Sequence, residues 1–162
     1  MVGRAIANLE AVASAVRVEI EFAELYAALA NRARNPDARK LLREMASDEE
    51  LHRSELMDLY EEMLEGQGPS IPPTQRERVT ALDATDDCQT VFEVAYAKEL
   101  DGERFYREAA QWAIDSKTRL LFLTLAETEN AHAAALRKVL TRLKQDPGWL
   151  ERWDPASVHA GP

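Results

Sequence analysis

The sequence predicts an all-α chain in which four long helices form two duplicated hairpins, joined by a long linker and packed as one bundle. Three observations carry that expectation. The composition is rich in Ala, Leu and Glu, with 46% hydrophobic, 30% charged and only 7% aromatic residues, as in mostly helical proteins. Four stretches free of proline hold apolar residues at spacings of three and four, the mark of amphipathic helices. The second half also repeats the first at an offset of 80 positions, and such internal repetition builds a fold from copies of one unit. A chain of 162 residues is long enough for one domain with a real core and short for two.

The first two helices are expected from about Ala5 to Ala33 and from about Asp37 to Leu64. Between them stands "NPD", where Asn35 suits the N-cap and Pro36 the first helical position. Residues 66–87, "GQGPSIPPTQRERVTALDATDD", hold three of the seven prolines and read as a linker. At roughly 3.3 Å per extended residue this linker can run the length of the bundle. The third and fourth helices are expected from about Gln89 to Ile114 and from about Lys117 to Lys144, with Asp115 or Ser116 as the cap in "IDSK". Such short turns make each pair antiparallel. The bundle domain is therefore placed at 1–146 and a tail at 147–162, where Pro147 and Gly148 break the last helix. Trp149 and Trp153 are expected to pack back on the bundle or on another subunit, and His159 to face solvent.

A formal net charge of -9 repels phosphates and anionic lipid, so nucleic acid and membrane surfaces are not expected as partners. Glu10, Glu19 and Glu21 interrupt any apolar run near the start, which excludes a signal-peptide or spanning pattern there. The single cysteine, Cys88, makes no internal disulfide, and no C-x-x-C pair exists for zinc or rubredoxin-type iron. A cytoplasmic protein is the expectation.

The repeat aligns more than core positions. Glu19 falls on Glu99, Tyr26 on Tyr106, Glu49 on Glu129 and His52 on His132. Each of these four glutamates, and both histidines, lies on the apolar seam of its helix, among residues such as Val12, Phe22, Met45 and Leu56. Counted from the turn at Asn35, Glu19 is 16 residues back and Glu49 and His52 are 14 and 17 forward. At 1.5 Å rise per residue, all three lie about 21 to 26 Å from the turn. The second hairpin repeats these offsets around Asp115, so hairpins paired about a pseudo-twofold axis bring six polar side chains into one layer.

Four buried carboxylates require positive compensation, because each buried charge costs several kcal/mol. Two divalent cations balance them, and two neutral imidazoles add ligands without changing the sum. Two seam glutamates plus two Glu-x-x-His pairs is the ligand pattern of di-iron and di-manganese carboxylate bundles. The i, i+3 spacing places Glu49 and His52 on one helix face, within reach of one ion. Oxygen-rich ligation with imidazole and no thiolate favours iron, with manganese or zinc as the other candidates.

On these residues, and on the tyrosines in "EIEFAELY" and "ELDGERFY", the chain resembles a rubrerythrin-type member of the ferritin-like superfamily over about residues 5 to 144. The resemblance implies that Glu49 and Glu129 bridge two metals, that Glu19 and Glu99 are terminal carboxylates, and that His52 and His132 bind one metal each. It implies that Asp48 accepts the outer N–H of His132, where Thr128 holds the equivalent position in the other hairpin; the alternative for Asp48 is an exposed helix charge. Glu103, one turn after Glu99, is an extra ligand or a solvated charge. Gly102 replaces the Phe22 of the first hairpin, at a cost of about 1 kcal/mol against Ala in a helix, and leaves room beside Glu99 for a small oxidant unless Phe22 fills it. Tyr26 and Tyr106 either bond the terminal carboxylates or carry redox equivalents, or are inert core tyrosines.

The resemblance implies an oxidoreductase acting on peroxide or dioxygen. Rubrerythrins resemble this bundle fused to a cysteine-ligated rubredoxin domain, which is not seen here, so an external electron donor is expected, and family analogy suggests a homodimer. A ferroxidase that handles iron uses the same six ligands. A helical interaction module with a structural metal is the reading from a different class.

Overall fold

The computed structural model describes residues 2–64 and 88–150, with side chains described from Leu9 and from Gln89 onward. The linker, Trp153, His159 and the Cys88 side chain lie outside the described residues. Four helices are present: α1 (Val2–Arg32), α2 (Pro36–Leu64), α3 (Cys88–Trp112) and α4 (Ser116–Gln145). They pair as α1 with α2 and α3 with α4, the two hairpins the sequence predicts.

The turns form where their chemistry requires. Asn35 Oδ1 accepts from the amides of Asp37 and Ala38 at 3.0 and 3.1 Å, supplying partners for two helix-start donors that would otherwise lack them. At the second turn Asp115 rather than Ser116 is the cap. Its Oδ1 accepts from the Thr118 amide at 2.8 Å and its Oδ2 from the Thr118 hydroxyl at 2.8 Å. Ser116 is the first helical residue.

Apolar side chains gather in two clusters, one toward each end. Leu29, Leu42, Phe92 and Val139 belong to the cluster near the first turn. Val16, Leu56, Ala109 and Phe122 belong to the one near the second. α2 ends in the second cluster, with Met63 and Leu64 packed on it, while α3 starts in the first with Val91 and Phe92. The polar layer predicted above lies between the two apolar plugs, which shield it from both ends.

The chain beyond α4 contributes to the core in a way that helical periodicity does not reveal. After Asp146 a turn brings the Leu150 carbonyl to the amides of Arg34 and Asn35, at 3.0 and 3.4 Å. The Leu150 side chain is 1% exposed within the first cluster, and Trp149 packs partly against it. Leu150→Ala is expected to destabilise the fold by about 2 kcal/mol, the lower end for truncating a buried leucine. Denaturant midpoints of the variant and the parent protein check this.

Candidate metal centre

The six predicted residues converge. Glu19, Glu49, His52, Glu99, Glu129 and His132 are all buried, none more than 5% exposed. They form two groups, Glu19–Glu49–His52–Glu129 and Glu49–Glu99–Glu129–His132, within each of which the donor atoms lie within 4.8 Å of one another. Glu49 and Glu129 belong to both. Each helix therefore supplies what its seam promised: one carboxylate from α1 and from α3, and a Glu-x-x-His pair from α2 and from α4.

Both imidazoles turn Nδ1 toward the carboxylates. His52 Nδ1 is 3.1 Å from Glu49 Oε2, 3.0 Å from Glu129 Oε1 and 3.6 Å from Glu19 Oε2. His132 Nδ1 is 3.1 Å from Glu49 Oε1 and 3.5 Å from Glu99 Oε2. The ring centroids are 6.1 Å apart. Despite such short separations, Glu49 Oε1, Glu99 Oε2, Glu129 Oε1 and His132 Nδ1 make no hydrogen bond. They are close to one another without pointing at one another. Buried donors and acceptors normally find partners, so atoms aimed together at common points are what a bound cation requires. All the converging atoms are carboxylate oxygens or imidazole nitrogens, a set suited to divalent iron or manganese.

The outer contacts differ between the two halves. His132 Nε2 lies 3.2 Å from Asp48 Oδ2, the position at which a carboxylate orients a metal-binding imidazole. Thr128, the residue the repeat makes equivalent to Asp48, instead donates its hydroxyl to the Thr124 carbonyl at 3.2 Å. Glu103 stands outside both groups and pairs with Arg107.

The tyrosines cross between hairpins. Tyr26 of α1 donates its hydroxyl to Glu99 of α3, and Tyr106 of α3 donates to Glu19 of α1. Helical side chains lean toward the N-terminus, so a tyrosine seven residues after each glutamate reaches back to the same layer. Burial, then the negative charge of the neighbouring glutamates, pushes both phenols well above their ordinary value. They remain protonated donors that fix one oxygen of each carboxylate.

Without a metal, protons carry part of the compensation. Burial pushes Glu19 up to about 8 and Glu129 well above the usual carboxylate range. Burial presses the imidazoles down, but the surrounding glutamate oxygens outweigh it and raise His52 to about 12 and His132 to about 11. Burial would also raise Glu49, yet the close imidazoles of His132 and His52 hold it at about 2.

Gly102 contributes a close approach rather than a contact. A Cβ at residue 102 would stand 3.1 Å from Glu129 Oε2 and 3.4 Å from Glu129 Cδ and Cγ. The room that the sequence places beside Glu99 is thus occupied in part by the Glu129 carboxylate.

A four-helix bundle with a buried cluster of four glutamates and two histidines, fit for two metal ions, defines a ferritin-like carboxylate protein. The Rubrerythrin family model matches residues 10–140 and 90–157, and the chain belongs to that family. Among solved structures it is similar to a hypothetical protein from Pyrococcus furiosus, with a TM-score of 0.70 and 24% identity over 85% of this chain and 90% of that one, which supports the fold. No curated protein matches. No helix among the described residues is long and apolar enough to cross a membrane.

Proposed function

We propose that the chain is a di-iron protein that reduces peroxide or dioxygen. In this reading Glu49 and Glu129 are shared between two ions, Glu19 and His52 complete one position, and Glu99 and His132 complete the other. The observation that carries it is the convergence of the four buried atoms that lack hydrogen-bond partners on two groups sharing two glutamates. Two Fe(II) ions held there would supply, on becoming Fe(III), the two electrons that reduction of a peroxide to two waters requires, with two protons drawn from solvent. The chain's own part is to hold the carboxylates in place through Tyr26 and Tyr106, and to close the layer at both ends with its apolar plugs. Asp48 orients His132 from outside. Electrons are returned by a donor outside the bundle.

The test is anaerobic loading with Fe(II), elemental analysis, and the optical spectrum before and after peroxide. Two irons per chain, a new near-ultraviolet band, and continued peroxide consumption in the presence of a reductant are expected. Iron accumulating far beyond two per chain would replace this reading with iron handling. Bound metal indifferent to peroxide and air would leave a structural metal in a helical interaction module.

The asymmetry of the outer contacts gives a sharper expectation. Asp48→Asn is expected to weaken metal binding at the His132 position by about 10- to 100-fold, the usual cost of losing such a partner, and to spare the His52 position. Titration with Fe(II) should then resolve one tight and one weakened site, where the parent protein fills both together.

A further inference from the structure

The 80-residue repeat makes Phe22 and Gly102 equivalent, each three residues after a cluster glutamate. On the side facing the first turn, Phe22 is buried with its ring 5.7 Å from that of Tyr26, and the space is filled. On the opposite side Gly102 has no side chain to offer, and a cavity of about 320 Å³ opens there. The helices permit it, because among the described residues no Cα of α1 comes within 8 Å of one in α3. Ala15 and Val18 of α1 and Phe105 of α3 form its walls with Phe22 and Gly102, and the four glutamates of the cluster line its depth. Ser14, Lys98 and Asp101 complete the polar lining and keep contact with solvent.

The size decides what this space suits. A water molecule takes about 30 Å³ of liquid, so a single peroxide or dioxygen would leave most of the cavity unused. Its volume instead reaches the lower end of small-molecule sites, about 300 to 1,000 Å³, which are mostly apolar with a few convergent polar groups. The sequence keeps it open at a helix-propensity cost, since glycine in a helix interior is unfavourable by about 1 kcal/mol against alanine. We infer that this cavity binds a small apolar organic molecule, flanked by Phe22 and Phe105, with its inner edge against the carboxylate cluster. The inference goes beyond the redox reading and does not depend on it, because the walls exist without a metal.

Indole is a suitable probe, titrated into the full chain both as purified and after chelation, with amide shifts followed by NMR. Shifts concentrated at Ala15, Val18, Gly102 and Phe105 are expected. Ala15→Phe and Val18→Trp each add bulk to the cavity and are expected to weaken indole at least about tenfold, with helicity and metal content retained. Shifts scattered over the surface, or none up to the solubility of indole, would overturn the inference, as would undiminished binding in both variants. Should either variant fail to fold, the shift map and the other variant decide. Metal content measured on the same samples judges the di-iron reading separately: indole bound in its cavity by a chain that never takes up metal would sink only that reading.

Discussion

Glu49→Ala is expected to abolish metal binding at both positions, whereas Glu19→Ala should remove one. Glu49 is 1% exposed, and its two oxygens serve different halves of the layer: Oε2 lies 3.1 Å from His52 Nδ1 and Oε1 lies 3.1 Å from His132 Nδ1. Glu19 belongs to the first group alone. Loss of an outer partner costs about 10- to 100-fold in affinity, so loss of a carboxylate shared by both positions should exceed that at each. The helix itself should survive, because alanine has the highest helix propensity and the apolar plugs on either side are untouched. Elemental analysis with circular dichroism checks both halves of the expectation. Equal metal loss in Glu49→Ala and Glu19→Ala would argue against sharing, and full occupancy in Glu49→Ala would remove the site altogether.

The six cluster residues were legible because polar groups on an apolar seam, spaced i and i+3 and repeated in a second hairpin, are too costly to bury unless they hold something between them. Asn35 was legible for a local reason, since a cap acts within three residues of itself. What escaped depends on packing between hairpins, which no single helix encodes. The crossing of Tyr26 to Glu99 and of Tyr106 to Glu19 needs the spacing of α1 from α3. The sequence identified Gly102 as a gap, but whether a gap stays open depends on what leans into it, and here Glu129 takes only part of the room. A row of small residues on α1, Ala11, Ser14, Ala15 and Val18 at spacings of three and four, was the available signal for the cavity. Leu150 follows a Pro-Gly break, so no periodicity announces its burial. The hydroxyl of Thr128 finds a carbonyl on its own helix, a local partner that threonine commonly prefers.

The second large effect is on thermal stability, and it changes with pH in opposite directions for the two forms of the protein. In the metal-free chain His52 and His132 are raised to about 12 and about 11 from an ordinary 6.5. Their contribution is complete below pH 6.5 and is lost as pH rises toward those values, because the folded state binds protons that the unfolded chain has released. Glu19, raised from 4.5 to about 8, acts the same way across that interval. Glu49, lowered from 4.5 to about 2, stabilises above 4.5 and loses its contribution as pH falls toward 2. The metal-free fold should therefore be most stable near pH 4.5 and lose melting temperature as pH rises above it, most steeply from pH 6.5 to 8, where the histidines add to the loss from Glu19. Metal ions require deprotonated ligands and release protons on binding, so the loaded form gains where the empty form loses. With free metal at 1,000 times the Kd of one position, filling that position alone adds about 4 kcal/mol. At about 2–4 °C per kcal/mol for a chain of this size, the melting temperature should rise by roughly 8 to 16 °C from that position, and the gap should widen from pH 6 to 8. Differential scanning fluorimetry of chelated and Fe(II)-loaded protein under anaerobic conditions measures both slopes. Parallel slopes would mean that the imidazoles and carboxylates stabilise one another as a closed acid-base cluster, with no need of the metal that their unpaired atoms imply.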